Sequence, residues 1–331
     1  MSELSTGTAL VTGASGFVGA AVARALLARG TAVRAMIREN SDRSNIDHLD
    51  VEVVHGDLLT GVGLAEATAG CSSLFHVAAD YRLWVPDPDN MYAANVDGTG
   101  KLLRAAMDSG VDRIVYTSSV SAVGIPADGS PGDEQTPVAL EDMIGPYKRS
   151  KFLAEQLVRR MATEEKCPVV IASPSTPIGP GDVKPTPTGR VIDDAVHGRM
   201  PAFVDTGLNI VHVDDVAAGH LLAYERGQIG ERYILGGENL TLQELLACVA
   251  GLVGRRPPKI RLPHQFALGV AYLSESWARL SGTVPQVTLD GVRMSQHKMF
   301  FSSARARAEL EYEPRPATEA IRDAVEWFRA R

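Results

Sequence analysis

Short apolar runs alternate along the first half of the chain with longer stretches whose apolar positions recur every three or four residues. TALVT at 8–12 is an uninterrupted apolar run of the kind used by a parallel strand buried on both faces. The following FVGAAVARALLARG has helical spacing and closes on Gly30, where a helix favours glycine just past its last turn. The same reading predicts strands in AVRAMIR, VEVVHGD, SSLFHVAA, VDRIVYTSS and PVVIAS. It predicts helices near 62–69, from Asn90 to Ser109, and from Pro146 to about Glu165. Strands alternating with helices imply βαβ units, right-handed crossovers and an α/β fold with a doubly wound parallel sheet.

The texture changes after Ile171. Prolines at 174, 177, 180, 185 and 187 crowd the stretch PSTPIGPGDVKPTPTGR, too many for a regular element, and mark the crossing into a second lobe. Residues 210–235 read as a return to the first domain. From about 236 onward helices dominate, in LTLQELLACVAGLVG, HQFALGVAYLSESWARLSG and TEAIRDAVEWFRAR. The expected organisation is a nucleotide-binding domain of 1–173 plus about 210–235. A smaller, mostly helical substrate lobe takes about 174–209 and 236–315, and 316–331 form a C-terminal helix.

Composition narrows the partners. With 331 residues, 45% of them apolar, the chain can fill such a core without metal or disulfide support. Its net charge of −7, with no consecutive basic run longer than Arg159-Arg160 or Arg255-Arg256, argues against nucleic acid. Cys71, Cys167 and Cys248 form no CxxC pair and read as reduced packing residues. The start of the sequence has no basic-then-apolar leader, and no run approaches the 18 or so apolar residues of a membrane span. A cytoplasmic enzyme acting on a small molecule is expected, as a homodimer.

Two groups of residues carry the chemistry. Thr12-Gly13-Ala14-Ser15-Gly16-Phe17-Val18-Gly19 lies between the first strand and the first helix. Glycines there permit a tight turn and let backbone amides approach a pyrophosphate at the positive end of the helix, as in a Rossmann fold. The second strand ends Met36-Ile37-Arg38-Glu39. An arginine at this place grips a 2′-phosphate, which favours NADP(H) over NAD, although Glu39 is close by. Asp57 in HGDLL is placed to accept from an adenine amino group, and equally well to stabilise a turn at the strand end. Tyr147 and Lys151 stand four apart at a helix start, so they face the same way. A nearby ammonium lowers the pKa of a phenol that must act as acid and base, and a strand ending Tyr116-Thr117-Ser118-Ser119 precedes the pair.

With these motifs the chain resembles the extended short-chain dehydrogenase/reductases of the NAD-dependent epimerase/dehydratase superfamily. The resemblance runs over nearly the whole length: TGASGFVG, HGDLL, NVDGT at 95–99, YTSS, YKRSK, HVDDVA at 212–217 and SSARARAELEYEP. It implies that Ser119 hydrogen-bonds the reacting oxygen, that Tyr147 is the general acid/base, and that Lys151 tunes Tyr147 and binds the nicotinamide ribose. It implies a supporting role for Asn95, an adenosine-side lining by Leu58, Ala78 and Ala79, and a nicotinamide-side contact by Pro174 and Ser175. Asp80, Tyr81, Trp84, Lys184 and Arg190 are the candidate substrate residues, with Ser119. The opening resembles the dihydroflavonol-reductase-like branch, while YRLWVPDPDNMY, GPYKRSKFLAE and RYILGGENLTL resemble hopanoid-associated sugar epimerases. Nucleotide-sugar epimerases of this family carry an arginine just before HVxD, whereas this chain has Thr206-Gly207-Leu208-Asn209 there.

The expectation is therefore an NAD(P)-dependent reductase acting at a secondary alcohol or ketone of a sugar-like or apolar, hopanoid-linked substrate. A sugar epimerase is the alternative. A non-catalytic NADP-binding regulator is disfavoured by the intact Ser119, Tyr147 and Lys151. His212, Asp214, Asp215 and His220 read as a strand end and a helix cap, Asp214 or Asp215 doing the capping, and no metal is expected. His76 reads as a core histidine. The apolar positions from Phe266 to Leu280 read as a packed helix face, with an apolar cleft or contact with lipid as the other reading.

Overall fold

The computed structural model describes residues 7–85 and 87–331. The first half runs β1 (Thr8–Thr12), α1 (Phe17–Ala28), β2 (Ala32–Ile37), β3 (Glu52–His55), α2 (Leu64–Thr68), β4 (Cys71–His76), α3 (Asp89–Tyr92), α4 (Gly98–Asp108), β5 (Arg113–Thr117) and α5 (Gly145–Glu164). It continues with β6 (Val169–Pro174), β7 (Thr176–Ile178), α6 (Pro187–Val196), β8 (Ala202–Val204), β9 (Gly207–His212), α7 (Val213–Arg226), β10 (Arg232–Leu235), β11 (Glu238–Thr241) and α8 (Leu242–Leu252). The last elements are β12 (Ile260–Leu262), α9 (His264–Ser281), α10 (Leu289–Met294), β13 (Lys298–Met299), α11 (Ala304–Leu310) and α12 (Ala317–Arg329).

Seven parallel strands form the central sheet in the order β10-β6-β5-β4-β1-β2-β3. Alternation along each strand feeds two cores. Ala9 and Val11 of β1, Phe75 of β4, Val115 of β5 and Val170 and Ala172 of β6 pack with α1 and α7. Leu10, Leu74, Ile114, Tyr116, Val169 and Ile171 face the other way, toward α2, α4 and α5. Because both faces are covered, the strands carry apolar residues at successive positions, and a simple in-out polarity is lost. The strand order reverses between β1 and β4, the place where such sheets open a crevice at their carboxyl ends.

The second lobe is mostly helical and adds short strands: β9 pairs antiparallel with β11 and parallel with β7 and β13, and β8 pairs with β12. Residues 210–212 therefore belong to this small sheet, and the chain rejoins the large sheet only with α7 and β10. The proline-rich stretch holds β7 and the start of α6, whose Pro187 occupies the first turn, where the missing N–H costs no helical bond. The last helix, α12, is amphipathic and buries Ala320, Ile321, Ala324 and Phe328 against α6, α8 and β9. Just before it, Ala306, Leu310 and Tyr312 cross back onto the α1–α7 core.

Candidate active site

Glycine geometry shapes the turn after β1. Gly13 has φ of 67°, and a Cβ there would lie 2.8 Å from the backbone of Ala78, just beyond β4. A Cβ on Gly19 would lie 2.1 Å from the Gly13 carbonyl, so this position lets α1 seat directly on the turn. Gly16 caps α1 and donates its amide to the Gly13 carbonyl at 2.9 Å, while no side chain covers the amides of the first helical turn. Those amides and the positive helix end sit at the switch point of the sheet, and they fit a pyrophosphate. Phe17 and Val18 pack inward onto the α1 core. Asn45 ties the turn to the loop after β7, donating to the carbonyls of Ser15 at 3.2 Å and Gly181 at 3.1 Å.

Arg38 is exposed at the end of β2, with its backbone amide on Ser41 Oγ at 3.1 Å and no guanidinium partner among the described residues. Partial burial pushes the Asp80 carboxyl up, but hydrogen bonds from Arg82 outweigh it and hold that carboxyl below the usual range, with a last contribution from the Arg38 charge. Asp57 accepts from the Leu59 amide at 2.7 Å, an Asx turn that matches its turn reading. Leu58 is buried beside Gly98, where a Cβ would meet the Leu58 carbonyl at 2.5 Å. Ala78 donates its amide to Thr12 Oγ1 at 3.2 Å, and Ala79 is half-buried next to it.

Strand β5 delivers Ser118 and Ser119 to its carboxyl edge, and α5 brings Tyr147 and Lys151 across from it. Tyr147 is half-buried, and burial raises its pKa while the hydroxyls of Ser119 and Ser121 pull it down. Ser119 Oγ accepts from the Ser121 amide at 3.1 Å. Lys151 is only 3% exposed and donates to Tyr116 Oη at 3.1 Å and to the Thr117 carbonyl at 2.7 Å. Burial brings its pKa down to about 8, against the opposing charge of Glu155. Its ammonium therefore rests on the β5 backbone and the Tyr116 ring, 4.7 Å from the ring centre, one turn along from Tyr147.

Asn95 lies in a π-helical segment, Ala93–Asp97, between α3 and α4. The wider turn aims its side chain inward, as such insertions often do at functional sites. Asn95 Nδ2 donates to the Asp80 carbonyl at 2.8 Å and to Ser150 Oγ at 3.0 Å, and its Oδ1 accepts from the Asp80 amide at 2.7 Å. Ser150 in turn donates to the Tyr147 carbonyl at 2.8 Å. Asn95 thus ties the segment after β4 to the first turn of α5.

Pro174 ends β6, and the Ser175 amide bonds the Leu235 carbonyl at 3.2 Å. The hydroxyl of Ser175 is buried with no hydrogen-bond partner among the described residues. An orphaned hydroxyl just past the carboxyl end of β6 fits a polar cofactor that would complete it.

The substrate candidates separate. Tyr81 lies close enough to Asp80, Asp182 and Tyr147 for their charges to reinforce the burial that raises its pKa. Trp84 is half-buried in the same segment. Lys184 instead lies 4.0 Å from Asp42, in the loop that carries Arg38, and Arg190 is exposed on α6.

Several residues escaped the sequence reading. Ser118 donates to buried Glu155 at 2.6 Å, and Glu155 accepts from Arg159 at 3.0 Å and Arg232 at 2.8 Å. The only local signal was the Glu155–Arg159 spacing of four. Lys148 is buried, with Met299 Sδ at 4.0 Å as its nearest polar contact, and burial lowers its pKa to about 8. His76 bridges Thr12 at 2.8 Å and Thr99 at 2.9 Å and is kept neutral by burial, with its pKa down to about 3. The cap of α7 is His212, whose Nδ1 accepts from the Asp214 amide at 3.0 Å, not Asp214 or Asp215. A ring nitrogen fits there because buried His212 points along the helix start, while Asp214 and Asp215 turn to Arg24 and Arg315.

A glycine turn at the switch point of a parallel sheet, facing a serine, a tyrosine and a lysine on neighbouring elements, defines a nicotinamide-dependent enzyme of the doubly wound class. The chain belongs to the NAD dependent epimerase/dehydratase family, which it matches over residues 9–236. It is 44% identical to a protein named putative dihydroflavonol 4-reductase of Synechocystis sp., over 96% of this chain and 93% of that one. It is 37% identical to sterol demethylase protein B of Methylococcus capsulatus, over 98% of this chain and 99% of that one. The crystal structure of gox2253 aligns with a TM-score of 0.88 at 54% identity, covering 98% of both chains. The chain is accordingly an enzyme of the extended short-chain dehydrogenase/reductase type, an oxidoreductase or epimerase that binds a nicotinamide dinucleotide and acts on a small molecule. No described helix is long and apolar enough to cross a membrane.

Proposed function

We propose that this protein is an NADP(H)-dependent reductase or dehydrogenase working at a secondary alcohol or ketone carbon of an apolar or sugar-like substrate. The observation that carries this reading is the meeting of Ser119, Tyr147 and buried Lys151 at the carboxyl edge of β5. In it, Gly13, Ser15, Gly16, Phe17, Val18 and Gly19 surround the pyrophosphate, and Arg38 takes the 2′-phosphate. Asp57, Leu58, Ala78 and Ala79 line the adenosine side, and Pro174 and Ser175 the nicotinamide side. Residues 7–173 with 213–235 and 304–312 would form the nucleotide half, and 174–212 with 236–303 most of the substrate lobe.

The bound nicotinamide supplies or accepts the hydride. Ser119 Oγ already accepts from the Ser121 amide, so its O–H is left to donate to the carbonyl oxygen of the substrate. Tyr147 gives that oxygen its proton during reduction and removes it during oxidation. Lys151, held by Tyr116 and the Thr117 carbonyl, supplies positive charge behind the phenol and reaches the ribose. Asn95 acts through the Ser150–Tyr147 backbone link and positions the tyrosine. Asp80, Tyr81 and Trp84 face the substrate.

The names of the dihydroflavonol reductase and sterol demethylase relatives support a ketone on an apolar ring system, hopanoid-like or flavonoid-like in shape. An epimerase is the second reading, favoured by the family description. Against it stands the stretch Thr206-Gly207-Leu208-Asn209, which has no cation where nucleotide-sugar epimerases carry an arginine. The three unpaired cysteines fit a reducing compartment, the cytoplasm, and a homodimer is the expected assembly. The test is to denature purified protein, identify any released cofactor, and assay ketones with NADPH. NADPH oxidation that depends on added ketone supports a reductase. Stoichiometric released NAD, with isomerisation of a nucleotide sugar and no added cofactor, would overturn it.

A further inference from the structure

Helix α9 is built inside out. Its buried face is made of Ala267, Ala271 and Ala278, with Glu275 as the one large buried side chain. Apart from half-buried Leu268, its large apolar side chains point to solvent: Phe266 is 60% exposed, Leu273 and Trp277 are each 69% exposed, and Leu280 is 85% exposed. With Val270 they recur at spacings of four, three, four and three, so on a helix of 3.6 residues per turn they form one narrow stripe. Val284, just past the helix, continues it and is also exposed. A folded chain seldom leaves so continuous an apolar patch in water without a use for it.

The segment entering α9 has its own bias. Arg255-Arg256-Pro257-Pro258-Lys259-Ile260-Arg261 concentrates cations in a chain whose net charge is −7. Arg261 pairs with Asp205 at 3.1 Å, but Arg255, Arg256 and Lys259 have no ion-pair partner among the described residues. Exposed Ile260 sits among them.

We propose that α9 and this basic approach docks the protein on the surface of an anionic lipid bilayer. The stripe would enter the boundary between headgroups and acyl chains, and the free cations would meet lipid phosphates. Charge favours this occupant over a second copy of the chain. A parallel pairing of two α9 stripes sets basic segment against basic segment. An antiparallel pairing sets it against Ser281-Gly282-Thr283-Val284-Pro285-Gln286, which has no carboxylate.

Docking would also orient the site. Helix α9 packs on α10, with the Leu289 amide bonded to Glu275 at 2.7 Å. Asp290 of α10 abuts Gly145, two residues before Tyr147, where a Cβ would lie 2.3 Å from its carboxylate. The stripe is thus one helix removed from the proposed acid/base. That consequence rests on the catalytic reading, whereas the docking itself does not.

The experiment is co-sedimentation of the full chain with phosphatidylcholine vesicles, with and without roughly one-third phosphatidylglycerol, alongside light scattering in the absence of lipid. Binding to the anionic vesicles should be at least about tenfold tighter than to the neutral ones and weaken with salt, as expected for three cations near the surface. Leu273→Asp with Trp277→Asp should abolish binding, and Arg255→Glu, Arg256→Glu and Lys259→Glu together should erase the anionic preference. All five positions are exposed, and unchanged melting and unchanged turnover of a water-soluble ketone would show that the variants are folded. Wild type that ignores anionic vesicles, or aspartate variants that bind as wild type does, would overturn the proposal. A lipid-independent dimer split by the aspartate pair, with no vesicle binding, would reassign the stripe to self-association.

Discussion

The central sheet and helix α9 use the same residue types in opposite ways. In β1, β4, β5 and β6 every large apolar side chain enters one of two cores, and Leu10, Leu74, Phe75, Ile114 and Ile171 are wholly buried. In α9 the alanines face inward and Phe266, Leu273, Trp277 and Leu280 face water. The sheet spends its hydrophobicity on its own stability, holding the ends of β1, β4 and β5 in fixed register beneath Tyr147. The helix keeps its hydrophobicity on the surface, where it contributes little to folding and is left for something outside the chain. Close packing thus belongs to the half that would hold the cofactor, and the continuous exposed apolar stripe belongs to the lobe.

Four sets of substitutions test this contrast. The largest effect is expected at the chemistry in the closely packed half. Tyr147→Phe should lower turnover by roughly 10²–10⁴-fold while leaving NADPH binding, followed by fluorescence titration, unchanged. Near-normal turnover would remove Tyr147 from the mechanism.

Truncation of matched leucines in the two regions comes next. Leu74→Ala opens a cavity under the sheet and should cost about 2–5 kcal/mol in urea unfolding, whereas Leu280→Ala should change stability by less than about 0.5 kcal/mol. Equal losses at the two sites would mean that the stripe is covered in solution.

Arg38→Asp is expected to weaken NADPH binding about 10- to 100-fold and NADH binding by far less, since a phosphate ligand becomes a repelling carboxylate. Calorimetry showing that wild type already prefers NADH would reverse the cofactor assignment.

The smallest effect concerns Lys148, the buried ammonium between α5 and β13. Its pKa falls to about 8 from 10.5 on folding, so burying the charge costs stability in full below pH 8, and the cost fades as pH rises to 10.5. Lys148→Met should therefore stabilise the protein by on the order of 1–2 kcal/mol at pH 7, with the gain vanishing above about pH 10. A destabilised variant, measured by thermal melting at both pH values, would indicate an anion that holds Lys148 in solution.

Much of this molecule was legible in its sequence. Local patterns suffice where the physics is local. Short apolar runs meant strands covered on both faces, Gly13 and Gly19 marked a turn that only glycines can make, and the Tyr147–Lys151 spacing put two side chains on one side of α5. Other features depend on contacts between distant segments. That β9 joins β7, β11 and β13, that Asn95 bonds Asp80 and Ser150, and that Glu155 collects Ser118 and Arg232 across gaps of 37 and 77 residues are decided by packing. Lys184 and Arg190 were assigned to the substrate from charge, and no local pattern announced that Lys184 lies 4.0 Å from Asp42. The period of α9 announced a helix with an apolar stripe, but period is blind to direction. Only the tertiary structure, by seating three alanines against the lobe, decided that the stripe faces outward.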